Sequence, residues 1–377
     1  LNKEELLRYN RQIIIPEFGE QGQQKLLNAS VLVIGAGGLG APILQYLTAV
    51  GVGRIGIVDF DEVSLSNLQR QVLFNTQEIG QSKASTAAKK LALLNPDVKF
   101  DVTEEAISSR NAMEIIGGYD LVVDGSDNLP TRYLVNDACY LLKIPLVYGA
   151  IFRFEGQVSV FNAVHKDGSR GPNYRDLFPS PPPPEMVPSC SEGGVLGVLP
   201  GIIGAMMANE AIKLLTHVGE TLSGKLFVFD ALDFSTFQLS VEKNDQNPLS
   251  GKEPTITHLV DYEAFCGGAV GQSSIREISV HELKEKMSLG TLELIDVRED
   301  YEYEIANLGG RLIPLNKVLS KSSEIPQDRE VVIMCKTGGR SKKAIELLQK
   351  QGFNNLLNLK GGITAWQKEI DQSMTAY

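Results

Sequence analysis

The sequence predicts an α/β protein: a mostly parallel sheet with helices on both faces, followed by a second, smaller α/β domain. Three observations carry this. An apolar strand breaks into glycines in VLVIGAGGLG (31–40), where Gly35, Gly37, Gly38 and Gly40 lead into a helix. Strand-like and helix-like segments then alternate to about residue 145, which requires parallel strands joined by crossover helices. The alternation resumes at 276, after a polar, turn-rich stretch. With 377 residues the chain can hold two or three domains.

The elements follow in order. Residues 1–27 read as an amphipathic helical arm, and the helix after the glycines covers about 39–50. RIGIVDF (54–60) is a second strand ending in acid. SKASTAAKKLALLN (82–95) is a helix closed by Asn95-Pro96. VKFDVTEEAI (98–107) is the third strand and YDLVVDGSD (119–127) the fourth. LVYGAIFRFEGQVSVFN (146–162) alternates as hairpin-like strands. Residues 165–190 are irregular and contain PSPPPPEMVPSC, a stiff extended loop of a length common at functional sites. A helix over 194–215 and strands over 225–241 complete a first domain, 1–245. A linker is expected over 246–275. The second domain, 276–377, reads as helix 280–287, strand 292–299, strand 330–335, helix 341–352 and strand 355–359.

Composition removes several classes of function. No apolar run is long enough to span a bilayer convincingly. The first residues, LNKEELLRYNRQ, show no basic region followed by an apolar stretch, so no signal peptide is expected. A net charge of −10 argues against a nucleic-acid partner. The four cysteines (139, 190, 266, 335) form no CxxC pair, so neither a disulfide framework nor a recognisable zinc site is expected. A reducing, cytoplasmic setting fits free thiols. The four histidines (165, 217, 258, 281) are scattered without ligand spacing.

The glycine loop and Asp59 alone fit NAD as well as a nucleoside triphosphate. Glycines admit phosphate to the backbone, a helix N-terminus favours its charge, and an acid ending the next strand can hold a ribose. The residues that follow favour the triphosphate. Asp61, Asn67 and Arg70 lie just past the second strand, Lys83 starts the next helix, and DGSDN (124–128) ends the fourth strand. Arg70 and Lys83 can offset charge growing on an α-phosphate and on departing pyrophosphate. Asp127 can position magnesium.

RYNRQI (8–13), GAGGLG, DFDEVSLSNLQRQ (59–71), GQSKA (80–84), Asn95-Pro96, DGSDN and GQVSVF (156–161) together resemble the MoeB/ThiF adenylyltransferases, relatives of the ubiquitin-activating enzymes. The resemblance covers about 1–268. It implies an ATP- and magnesium-dependent enzyme that adenylates the C-terminal Gly-Gly carboxylate of a small ubiquitin-like sulfur carrier. On the family's pattern Gly38, Asp59, Asn67, Arg70, Lys83 and Asp127 contact ATP or its magnesium, and Gly35, Gly37 and Asp61 are expected in the same ATP site. Arg11 would reach the site of the other subunit of a homodimer. Many relatives carry two CxxC zinc pairs. Here those places read Asn173 and Asp176, and Asn247 and Ser250, so no structural zinc is expected.

Two cysteines are candidate nucleophiles. Cys190 follows the Pro-rich loop, where a mobile thiol can approach an acyl-adenylate, and a helix start nearby would favour its thiolate. Cys335 ends EVVIMC and opens CKTGGRS (335–341), a tight turn before a helix. Its backbone N–H groups, Lys336 and Arg340 favour a thiolate or persulfide anion. CKTGGRS, LIDVRE (294–299), GGRLIPL (309–315) and GGITAW (361–366) resemble the rhodanese sulfurtransferase domain. On that pattern Asp296 and Arg298 would brace the active-site loop and Trp366 would pack. Asn307 stands where many relatives have His.

The fusion implies that a Cys335 persulfide converts the carrier's adenylate to a thiocarboxylate. Cys190 would then resolve the acyl disulfide or hold a thioester, and the sulfur would come from thiosulfate or a cysteine desulfurase. A molybdopterin carrier is favoured, with thiamine or tRNA-thiolation carriers as alternatives. An NAD-binding oxidoreductase would leave Arg70, Lys83 and Asp127 dispensable, and a non-catalytic carrier-binding scaffold would release no pyrophosphate.

Overall fold

A computed structural model describes residues 1–165, 167–181, 194–266, 275–290 and 292–375. The chain forms two compact units, Leu1–Ala269 and Val270–Tyr377.

The first unit is built on strands β1 (Ser30–Ile34), β2 (Arg54–Val58), β3 (Lys99–Thr103), β4 (Leu121–Asp124), β5 (Leu146–Phe152), β6 (Glu155–Phe161), β7 (Lys225–Asp230) and β8 (Ser235–Ser240). Their order in the sheet is β3-β2-β1-β4-β5-β6-β7-β8. The first five run parallel, and β6 to β8 are added antiparallel. The apolar runs read as continuous because both faces are covered, yet they still alternate by face. Val31, Val33, Ile55, Ile57, Leu121 and Val123 pack with the helices Gly40–Ala49, Lys83–Leu94 and Leu199–Thr216. Leu32, Ile34, Val58 and Val122 face the helix Leu129–Leu142.

Local chemistry sets the helix starts beside the cleft. Ser82 accepts the Ser85 N–H (3.3 Å) to open Lys83–Leu94, and Asn128 accepts the Thr131 N–H (3.0 Å) to open Leu129–Leu142. The arm is two helices, Lys3–Ile13 and Gly19–Asn28, rather than one. Pro16 interrupts them, and Gly19 takes φ +58°. Tyr9 anchors the first helix: it is buried, and Asn95 Nδ2 donates to its hydroxyl at 2.9 Å. The helix expected from 194 starts only at Leu199, with Pro200 in its first turn.

The segment from 246 is not a free linker. Asn247, Leu249 and Tyr262 are buried in the first unit, and a short helix runs Tyr262–Cys266. Polarity hid this, because the segment packs through hydrogen bonds as well as apolar contacts.

The second unit has β9 (Arg276–Ile278), β10 (Leu292–Asp296), β11 (Arg311–Leu312), β12 (Glu330–Met334) and β13 (Leu356–Leu359), in the parallel order β11-β10-β12-β13-β9. Helices Val280–Leu289 and Gly362–Glu369 contribute to one apolar layer, and Gly339–Gln349 to the other. Short β9 and β11 and the helix Asp300–Ile305 were not read from the sequence. Two or three residues carry no periodicity signal.

Candidate functional sites

The first site is a cleft at the C-terminal ends of β1, β2 and β4. Between β1 and β4 the sheet order reverses, which opens a crevice there. Gly35 turns out of β1 at φ +87°. At Gly40 a Cβ would lie 1.9 Å from the Gly35 carbonyl oxygen, so the helix packs this close to the loop only with glycine.

Gly35, Gly37, Gly38, Asp59, Asp61, Arg70, Lys83 and Asp127 all line this cleft. Asp59 accepts the backbone N–H groups of Ala36 (2.7 Å) and Asp61 (2.9 Å), so it ties the glycine loop to the end of β2. Burial pushes its carboxyl above the ordinary range, against the opposing pull of Lys83 and those N–H donors. Lys83 is buried, with Nζ 2.8 Å from Asp61 Oδ2. Asp127 is exposed at the mouth, beyond Asp124, which is fully buried and raised by desolvation.

Two expected residues are not in the wall. Asn67 stands one step back, accepting from Gln71 Nε2 (3.3 Å), and Gln71 lines the cleft instead. Arg11 is exposed on the helix Lys3–Ile13 and does not line the cleft of its own chain.

Arg132 was missed. It lines the cleft, donates from Nη2 to the Ser126 carbonyl (3.3 Å) and sits 5.5 Å from the Tyr148 ring centroid. Its signal was present in the sequence. A cation one turn into a helix opposes the helix dipole, and an anion held at that helix start offsets this.

The second site surrounds Cys335. The buried sulfur receives the Gly338 N–H at 3.1 Å, and the Ser341 hydroxyl lies 3.4 Å away. Arg340 is paired in bidentate fashion with Glu302 (2.5 and 2.7 Å), so its charge is shared with a carboxylate. Burial raises Glu302, but the Arg340 guanidinium and the Glu299 N–H outweigh it, and the carboxyl lies below its ordinary range.

Asp296 and Arg298 pair with each other, and Arg298 also donates to the carbonyls of Glu302 (3.3 Å) and Ala306 (2.7 Å). They brace the helix Asp300–Ile305, and that helix reaches the active-site loop through Glu302. Asn307 closes its turn by bonds to the Tyr303 carbonyl and the Gly309 N–H, both 3.1 Å. Trp366 packs partly buried in the second unit's core, and Lys336 is half-buried. Cys190 lies outside the described residues.

Asn173, Asp176, Asn247 and Ser250 do converge. Asn173 Nδ2 donates to Ser250 Oγ (2.7 Å), and Asn247 Nδ2 to Asp176 Oδ1 (2.7 Å) and Asn173 Oδ1 (3.2 Å). Two amides, a hydroxyl and one carboxylate already engaged with each other do not fit zinc. Beside them Arg175 and Asp137, both fully buried, form a bidentate pair (2.8 and 2.7 Å). The guanidinium lies against the rings of Tyr133 and Phe265, 4.7 and 4.8 Å from their centroids, where the two rings meet edge to face, and Tyr262 donates to Asp137 (2.7 Å).

The first unit thus carries a phosphate cleft on a parallel sheet, and the second a cysteine seated at a helix start. The chain belongs to the ThiF family, whose model matches residues 9–250, and a rhodanese-like domain matches 279–369. It is 48% identical to the probable adenylyltransferase/sulfurtransferase MoeZ of Mycobacterium tuberculosis, over 100% of this chain and 96% of that protein. It is 56% identical to the sulfur carrier protein adenylyltransferase of Thermus thermophilus, over 70% of this chain and 98% of that one. Identity to adenylyltransferase and sulfurtransferase MOCS3 of Drosophila yakuba is 39%, over 100% and 86%. Among solved structures, PaaA superposes with a TM-score of 0.54 at 23% identity, over 65% of this chain and 76% of that one, a likeness of fold. The chain is an adenylyltransferase joined to a sulfurtransferase domain.

Proposed function

We propose that the cleft adenylates the C-terminal Gly-Gly carboxylate of a small ubiquitin-like sulfur carrier and that Cys335 then supplies sulfur. The observation that carries this is the gathering of Arg70, Lys83, Arg132 and Asp127 around one glycine loop. Three cations are more than a hydride carrier needs, and they suit a polyphosphate whose leaving group is pyrophosphate. The carrier's carboxylate attacks the α-phosphorus and pyrophosphate departs. Arg70 and Lys83 offset the charge on the phosphate oxygens. Asp127, exposed at the mouth, takes a coordination position of the magnesium that arrives with ATP.

In the second step the terminal sulfur of a Cys335 persulfide attacks the acyl carbon and AMP leaves. A thiol, Cys190 in our reading, then attacks Cys335 Sγ. This releases the thiocarboxylate and leaves a disulfide. An external dithiol reductant reopens that disulfide, and the freed Cys335 thiolate takes a sulfane sulfur from thiosulfate, releasing sulfite, or from the persulfide of a cysteine desulfurase, releasing its thiol. The names of the relatives support a sulfur carrier as substrate, and we favour the molybdopterin carrier over thiamine or tRNA-thiolation carriers.

β8 favours protein docking. It is exposed along its length at the sheet edge, with Phe237 and Leu239 on one face and Phe234 at the hairpin tip. An open apolar edge accepts a partner's sheet. Homodimerisation would bring Arg11 to a partner's cleft, and Leu6, Leu7, Ile14 and Ile15 are exposed beside it. No helix among the described residues is long and apolar enough to cross a membrane, and we place the enzyme in the cytoplasm. We take 1–245, with the segment from 246 that packs onto it, and 276–377 as the two functional domains.

The test is ATP–pyrophosphate exchange with each Gly-Gly carrier in turn. Exchange that requires one carrier, is lost in Asp127→Ala and survives in Cys335→Ala names the substrate and places Cys335 downstream. Absence of exchange with every carrier, in folded protein that binds ATP, would refute the enzymatic reading.

A further inference from the structure

Behind the sulfur runs a line of side chains that the steps above do not use. The hydroxyl of buried Ser341 lies 3.4 Å from Cys335 Sγ, 3.0 Å from the Gly338 carbonyl and 2.6 Å from Asn358 Oδ1. It has one proton for three acceptors. Asn358, buried on β13, donates from Nδ2 to Glu277 Oε1 on β9 at 3.2 Å. Glu277 is paired with Lys342 at 3.0 Å, and that bond, with Asn358 and Lys360 adding, holds its carboxyl below the ordinary range. A carboxylate only accepts. It therefore fixes the amide with its N–H toward Glu277 and its carbonyl toward Ser341. The short contact to that carbonyl takes the hydroxyl proton. The sulfur then faces a hydroxyl lone pair on this side and the Gly338 N–H on the other.

We infer that Asn358, oriented by Glu277, is a positioning residue of the sulfur site: it turns the Ser341 proton away from Cys335 and so favours the S–H form over the anion. Stabilisation of the anion is left to the loop side, where Gly338, Lys336 and the Arg340–Glu302 pair stand. The inference builds on Cys335 as the sulfur-bearing residue. Its test reads the thiol itself, so it stands or falls separately from any carrier.

The test is alkylation of Cys335 by iodoacetamide in the reduced full chain, followed across pH by mass spectrometry of its peptide. Asn358→Leu removes the acceptor and fills its volume. The hydroxyl then turns to the thiolate, because a bond to a charge is stronger than one to the Gly338 carbonyl. The rate–pH profile should move down by about one pH unit, about a tenfold faster rate below its midpoint. Glu277→Gln, at a partly exposed position, should move it in the same direction by freeing the amide to turn. Both shifts should vanish in a Ser341→Ala background. An unmoved profile in folded Asn358→Leu overturns the inference. So does a shift that persists without the Ser341 hydroxyl, since that would be a through-space effect. Should Asn358→Leu fail to fold, Glu277→Gln with and without Ser341→Ala decides alone.

Discussion

Arg175→Met should weaken the first unit sharply and leave the second untouched. The side chain is fully buried, holds Asp137 by two short bonds, donates to the Pro179 carbonyl (3.3 Å) and packs against two rings. Met keeps most of the volume and removes the charge. Among the described residues, Asp137 would then be a buried carboxylate supported by Tyr262 and Asn136 alone. Breaking a buried pair from one side costs about 3–5 kcal/mol. With a urea slope of about 3 kcal/mol per M, the midpoint should fall by about 1 M or more. The two units can be followed apart. The single tryptophan, Trp366, is in the second, so its fluorescence reports that unit while far-UV circular dichroism reports both. Adding Asp137→Asn should recover part of the loss by removing the stranded charge. A fall of less than about 0.3 M, or no recovery in the double variant, would refute the view that this ion pair holds the corner.

Other outcomes follow from the same geometry. Chelators should leave the melting temperature unchanged, and elemental analysis should find no stoichiometric zinc, because Asn173, Asp176, Asn247 and Ser250 bond to one another. A zinc atom per chain would refute this. Lys83→Ala and Arg132→Ala should each lower pyrophosphate exchange by about 10²–10³-fold with the fold intact, as loss of charge-stabilising donors does. Wild-type exchange in Arg132→Ala would reduce that residue to a structural one. Glu302 is depressed in the folded state, so its contribution is fully present above the ordinary Glu pKa of 4.5 and is lost as pH falls through the lower folded value. Trp366 fluorescence should therefore show acid destabilisation of the second unit that is weaker in Glu302→Gln, and equal acid sensitivity in both would refute the assignment.

The sequence by itself determined the sheet, the glycine turn and most of the cleft. These are legible because a strand, a turn and a helix start are local, and parallel strands deliver their C-terminal ends to one edge. Gly35, Asp59, Lys83 and Asp127 needed only their positions relative to those ends. Tertiary structure alone decided what distant partners decide. Arg340 faces Glu302, 38 residues away, and Asn358 joins Glu277 across 81. Asn173 meets Ser250 across 77, so a stretch that reads as linker is instead part of the first unit's packing. Arg132 was visible as a cation near a helix start, but only the fold turned it toward the cleft. Pairings of this kind leave no period in the sequence, because hydrogen-bond partners are chosen by approach in space and not by spacing along the chain.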